Sequence, residues 1–315
     1  MKLIFNPTRL ITTLFLFVII SSISCKKEIS GGGGTPQDEE FASRASSEAD
    51  AESEIFFNQL FDDVMGVNDD LGMAGLGVFG RANTSGTNYN IARTDTVRCF
   101  TVSLTHLNPP DVFPVRVVLD FGTGCVGRDG HLRSGKIITV YTSRLIVPGA
   151  KATTHFENFK FDEIKVEGIH EITNQSTAVS VTNPFPAHKW KVVVEGAKLT
   201  KPNGNYTEWN SHKTITQLEG MITAFIPLDD IYKIEGIANG KVKRDNIIVA
   251  WNTEITEPFI KKFSCRWIVK GRLRVARMTL SNNSPWIAIL DYGNGDCNNR
   301  AVISINGVLH EITLP

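Results

Sequence analysis

Apolar and polar residues alternate along most of the chain beyond residue 96, and the alternation recurs in short runs separated by Gly, Asn and Pro. VFPVRVVLDF (112–121), GKIITVYTSRLIV (135–147), KATTHFENFKF (151–161), KVEGIHEIT (165–173) and HKWKVVVEGAKLT (188–200) are of this kind. So are YTEWNSHKTIT (206–216), IYKIEGIANGKV (231–242), NIIVAWNTEIT (246–256) and CRWIVKGRLRVARM (265–278). A period of two predicts strands with one buried and one wetted face, which is the pattern of antiparallel sheets. No alternation of strands with helices is visible. The expected fold class is therefore all-β: antiparallel sheets arranged as a sandwich or a long coiled meander. Asn203-Gly204 and Asn306-Gly307 read as two-residue hairpin turns. Gly168, Gly196 and Gly236, each after a Glu within or beside a strand, read as bulges or bends. One segment, about 46–66, has helical spacing, with Ile55, Phe56, Leu60, Phe61, Val64 and Met65 on an apolar stripe. The Gly- and Asn-rich stretch 66–92 reads as irregular loop, its Asp69-Asp70 pair as a solvated turn.

The apolar run ITTLFLFVII (11–20) breaks the pattern. It follows Lys2 and Arg9 and precedes SSIS and Cys25, the layout of a secretory signal peptide. It falls short of the roughly 20 residues of a stable membrane span. The arrangement resembles a bacterial lipoprotein signal, in which the Cys becomes the lipid-bearing N-terminus. Ser24 fits that pattern, and Ser22 stands where Leu is usual, as in relaxed versions of the motif. The resemblance implies lipidation at Cys25 and attachment to a bacterial outer membrane, on its periplasmic or cell-surface face. Gly31–Gly34, Thr35-Pro36 and a Ser-, Ala- and acid-rich run then suggest a flexible tether. The expected organisation is signal peptide 1–24, lipidated Cys and tether 25–54, helix and irregular segment 55–92, and β-rich body 93–315.

Composition changes this picture little. Of 315 residues, 42% are apolar and 21% charged, and Lys+Arg and Asp+Glu are both 33. The balance gives no basic excess for nucleic acid, and no nucleic-acid partner is expected. Without Lys2 and Arg9, 31 basic residues (33 − 2) face 33 acidic ones, so the mature chain is slightly acidic.

Beyond Cys25, four cysteines permit three pairings. Their surroundings are duplicated: Cys99, then VVLDFGTGC ending at Cys125; Cys265, then AILDYGNGDC ending at Cys297. Asp120-Phe121-Gly122 and Asp291-Tyr292-Gly293 occupy matching places before the second cysteine of each unit. The repeat selects the bridges Cys99–Cys125 and Cys265–Cys297, in keeping with an exported protein. Asp120, Gly122, Asp291 and Gly293 are expected to fix turns, because Asp before aromatic-Gly can accept a backbone N–H.

No catalytic motif emerges. FGTG (121–124) lacks the following helix of a phosphate loop, and GxSxG, HExxH and P-loop patterns are missing. The cysteines have no zinc spacing, and no metal or cofactor is expected. The seven His residues are scattered singly, so each is expected at the surface or in an ordinary hydrogen bond. Arg128, His131 and Arg133 read as a solvated hairpin tip, Asp229-Asp230 as a turn cap, and the five Trp residues as core or cross-strand packing.

DFGTGCVGRDGHLRSGKI, WNSHKTITQLEG and the terminal DYGNGDC…ISINGVLHEITL resemble a group of uncharacterised Bacteroidetes-type lipoproteins, over most of the chain after about residue 95. That resemblance implies an address and no activity. Asp95-Thr96-Val97 also resembles a periplasmic O-glycosylation motif in such bacteria, making Thr96 a candidate. The expectation is a noncatalytic envelope or cell-surface lipoprotein with a binding or structural role, its partner a glycan or an envelope protein. The alternatives are a carbohydrate-active hydrolase and a lipid or small-molecule carrier.

Overall fold

A computed structural model describes residues 27–28, 35–65, 100–127, 130–223 and 229–315. The described residues form one α-helix, α1 (Pro36–Met65), a single 3-10 turn at Met221–Thr223 and one predominantly antiparallel sheet. The strands are β1 (Lys27–Glu28), β2 (Thr101–His106), β3 (Val115–Asp120), β4 (Cys125–Val126), β5 (Leu132–Tyr141), β6 (Lys151–Phe161), β7 (Ile164–Asn174) and β8 (Lys189–Thr200). They continue with β9 (Tyr206–Glu219), β10 (Ile231–Arg244), β11 (Ile247–Lys262), β12 (Ile268–Arg277), β13 (Ala288–Asn294), β14 (Arg300–Ile305) and β15 (Val308–Thr313). From β5 to β15 every strand pairs with its neighbours in sequence, and β3 and β2 extend the sheet beyond β5. The all-β expectation is met, and of the two arrangements foreseen the sheet is the coiled meander. Asn306-Gly307 forms the β14–β15 turn with both residues at positive φ.

The strands bury alternate residues, most regularly in β9, where Thr207, Trp209, Ser211, Lys213, Ile215 and Gln217 all face inward. Outward positions carry paired charges instead. Glu208 lies between Lys198 (3.7 Å) and Lys241 (2.9 Å), and Arg272 bonds both Asp291 and Glu257. A polar outward face suits contact with water rather than hydrocarbon.

Glycine bulges help to coil the sheet. Register shifts occur at Glu167/Ile169, Val194/Ala197 and Ile234/Ile237, each at a Glu-Gly step. Gly236 has φ 149°, and a Cβ there would meet the His212 carbonyl oxygen at 2.2 Å. Gly168, at φ 121°, would place one 2.6 Å from Ala197 Cα. Each bulge increases the local right-handed twist, so the sheet curls toward one face.

α1 fills the concave side, and this corrects the expected domain plan. Residues 36–54 are helical and largely buried rather than tether. The local cause is a reciprocal cap. Asp38 N–H donates to Thr35 Oγ1 (3.3 Å), Thr35 N–H donates to Asp38 Oδ2 (3.2 Å), and Pro36 takes the first helical position. The first half of α1 is built from Ala42, Ser43, Ala45, Ser46, Ser47, Ala49, Ala51 and Ser53, all buried. Such small side chains let strand side chains approach the helix closely. Ser46, Ser47 and Ser53 satisfy their hydroxyls on carbonyls four residues back. The second half carries Ile55, Phe57, Leu60, Phe61, Val64 and Met65 into the core. At its end Tyr141 Oη donates to Val64 O (2.9 Å). The expected irregular segment 66–92 lies outside the described residues.

Gly236→Ala is expected to lower stability by about 2 kcal/mol or more, because the backbone clash adds to the positive-φ cost. Urea unfolding checks it; an unchanged midpoint would show that β9 and β10 do not pack as described.

Candidate functional site

The chemistry-bearing side chains converge on the helix–sheet interface. α1 holds nine acidic residues and one basic residue, Arg44. Buried carboxylates require partners, and the surrounding strands and turns supply cations. Glu39 pairs with Arg277, Glu48 with Arg244, and Glu54 with Lys213. Glu52 meets Lys201 at 3.0 Å, Asp62 meets Lys261 at 2.8 Å, and Glu40 meets His310 at 3.4 Å. Asp50 is different. Its Oδ1 accepts two indole N–H bonds, from Trp209 (2.8 Å) and Trp251 (3.1 Å). Both rings are fully buried, so their expected packing role is joined by a hydrogen-bonding one.

At the centre, Lys213 sits between Glu54 and the Trp209 ring, 5.0 Å from that ring's centroid. Burial pushes the Lys213 ammonium down to about 7, against the opposing charge of Asp50. Burial likewise raises Asp50, while Lys213 and the indoles resist the rise. Asn58 Nδ2 donates to Glu54 Oε1 (2.6 Å) and to Glu54 O (2.8 Å), fixing the carboxylate from the next helical turn. Glu39, Glu48, Asp50, Glu54 and Asp62 are thus each held by a cation or a neutral donor, so the cluster acts as a lock between helix and sheet.

A second polar group lies near the far end of α1. Asp230 accepts from Tyr232 Oη (2.5 Å) and Gln217 Nε2 (3.0 Å), and burial raises it to about 6 against those two bonds. Gln217 Oε1 in turn accepts the His188 N–H at 3.1 Å. Ser176 Oγ stands 3.5 Å from His188 Nδ1, but it already accepts the Lys189 N–H at 2.9 Å. These bonds tie β8, β9 and the start of β10 together.

His170 departs from the expectation of surface or hydrogen-bonded histidines. It is fully buried on β7, lies over Phe57 (ring centroids 6.1 Å apart), and neither ring nitrogen has a hydrogen-bond partner. Burial lowers it to about 3. The solvated tip expected around residues 128–133 is corrected as well. Arg133 is buried over the Phe161 ring at 5.0 Å, and His131 Nδ1 lies 2.5 Å from Asp162 Oδ2. Arg128 lies outside the described residues.

The duplicated units meet equivalent ends. Asp120 Oδ1 accepts the Gly122 N–H at 2.9 Å, and Asp291 Oδ1 accepts the Gly293 N–H at 2.8 Å. Gly122 and Gly293 have positive φ (57° and 95°), and the intervening Phe121 and Tyr292 are buried. Both motifs therefore form the same Asx turn around an inward aromatic. Cys265 and Cys297 are bridged. Cys125 is disulfide-bonded; its expected partner Cys99 lies outside the described residues, as do Cys25 and Thr96. Among the described residues no group of three or more His, Cys, Asp or Glu is placed to hold a metal. Comparison with protein-family models, curated proteins and solved structures gives no match for this chain.

Two outcomes are expected. Lys213→Met should cost about 3–5 kcal/mol by leaving buried acid uncompensated, and adding Glu54→Gln should restore more than half of it. Denaturant curves of the single and double variants check this; strict additivity would break the assigned pairing. His170 is neutral in the folded chain down to about pH 3, while in the unfolded chain it takes a proton near 6.5. Its contribution to stability is complete above pH 6.5 and is lost as pH falls toward 3, by up to about 5 kcal/mol. His170→Phe should flatten that part of the stability–pH curve.

Proposed function

We propose that this protein is a noncatalytic lipoprotein of the bacterial outer membrane, presenting a rigid sheet surface for a binding or structural role. The observation that carries the reading is the filling of the sheet's concavity by the chain's own helix. A glycoside hydrolase needs two carboxylates facing a substrate cleft, whereas the acids of α1 are engaged with strand cations and indoles. A carrier needs a vacant apolar lumen, and α1 occupies that space with Phe57, Leu60, Phe61 and Met65. The outward face, with its paired charges, remains for contact with a glycan or an envelope protein. The leader and Cys25 support the address, and the Cys265–Cys297 bridge suits an oxidising compartment.

The mature protein should carry lipid on Cys25, and Cys25→Ser should release it from the membrane fraction. Mass spectrometry of the mature terminus, with and without inhibition of the lipoprotein signal peptidase, checks the address. An unmodified terminus elsewhere would overturn it. Turnover of a glycoside or ester by the purified protein would overturn the noncatalytic role.

A further inference from the structure

Resting on that lipoprotein reading, the geometry points to one end of the molecule, around the start of α1, as a surface that seats directly on the lipid bilayer. The long flexible tether read from Gly31–Gly34 would instead let the body stand clear. Lys27 and Glu28 pair in parallel with Ile247 and Ile248 of β11. Lys27 lies two positions after Cys25, a reach of about 7 Å even when fully extended. A lipid on Cys25 would therefore emerge beside the β10–β11 turn, and the glycines lie after this attachment point rather than before it.

The same end is defined by contacts of α1's first half. Arg277 at the end of β12 holds Glu39, and His310 on β15 holds Glu40. Arg244 at the end of β10 holds Glu48, and Lys201 after β8 holds Glu52. The pairing register puts these strand ends on one rim of the sheet: Thr200 and Lys243 both lie opposite Tyr206, Arg244 opposite Ile247, Arg277 opposite Trp251, and Val308 opposite Ile305. Beside those contacts stand exposed apolar side chains: Phe41 (44% exposed) after Glu40, Met278 (64%) after Arg277, and Val308 (50%) and Leu309 (69%) just before His310. Val179, Val181 and Phe185 are exposed at the opposite end as well; what singles out this group is that the anchored chain enters beside it, and apolar side chains there suit the headgroup–acyl boundary. Arg277, His310, Arg244 and Lys201 are paired with helix acids and so add little attraction to anionic lipid. The quenching contrast between the two ends rests on the apolar group and is therefore expected with or without anionic lipid.

The test uses the full chain, exported and processed in cells, carrying a fluorophore on Met278→Cys, Leu309→Cys or, as the distant control, Val181→Cys. Val181 lies in the β7–β8 loop, next to the strand whose Trp190 packs on Phe61 near the other end of α1. The helix is about 45 Å long, which puts that loop beyond contact quenching. In phosphatidylcholine vesicles containing nitroxide lipid, the labels at 278 and 309 should lose most of their emission and the label at 181 almost none. Replacing part of the phosphatidylcholine with phosphatidylglycerol should leave this pattern unchanged. Equal, weak quenching at all three sites on a protein shown by mass spectrometry to be lipidated would overturn the seating and leave lipidation standing. An unlipidated terminus would overturn both. Labels at 278 and 309 that stay wet on vesicles but become shielded in native outer membrane would assign this face to a protein partner, and the bilayer proposal would fail.

Discussion

Burying an acidic helix inside a sheet is the constraint on which the rest of this structure depends. A carboxylate removed from water is costly unless a cation or several donors replace its hydration. Strands β9 to β12 each place a cation toward α1, in Lys213, Arg244, Lys261 and Arg277. Asp50 is served by two indoles instead. These contacts specify how far α1 lies along the sheet and how it is rotated. A slip by one residue would break several of them together, whereas apolar contacts alone would tolerate repacking more readily.

The shape of the sheet and the composition of the helix answer each other. The Gly-containing bulges curl successive strands toward one face, and the curl would leave a cavity without an occupant. α1 fits with a narrow Ala- and Ser-rich half and a broad half of Phe, Leu and Met. The small half leaves room for Trp209, Trp251 and the long cationic side chains. The broad half meets Trp190 and Tyr141. The helix's modest amphipathicity follows from its position: with strands around it, it has no single wet face.

Much of the sheet was legible in the chain. Period-two alternation locates β6 to β12, Asn306-Gly307 marks the last hairpin, and the Glu-Gly steps coincide with bulges. These are local properties, set by pleat geometry and by φ values that few residues adopt. The start of α1 was misread for a definable reason. Ser, Ala, Glu and Asp in 35–54 look like a solvated tether by composition, although Thr35-Pro36 followed by Asp38 is a helix-start signal. Nothing nearby shows that Glu39, Asp50 or Glu54 is buried, because the partners that make burial tolerable lie more than a hundred residues away. His170 is similar: its strand position was readable, its complete enclosure was not.

The sequence by itself determined the secondary-structure class, the last hairpin turn at Asn306-Gly307, the Glu-Gly bulges and the duplicated Asp-aromatic-Gly motif, since each depends on residues close together in the chain. Only the tertiary structure decided that the acidic segment is the core rather than the tether, and which cation answers each carboxylate. It also set where Lys27 and Glu28 meet the sheet. Those outcomes depend on the accumulated twist of many strands, which brings distant side chains into one low-dielectric interior and is encoded by no single segment.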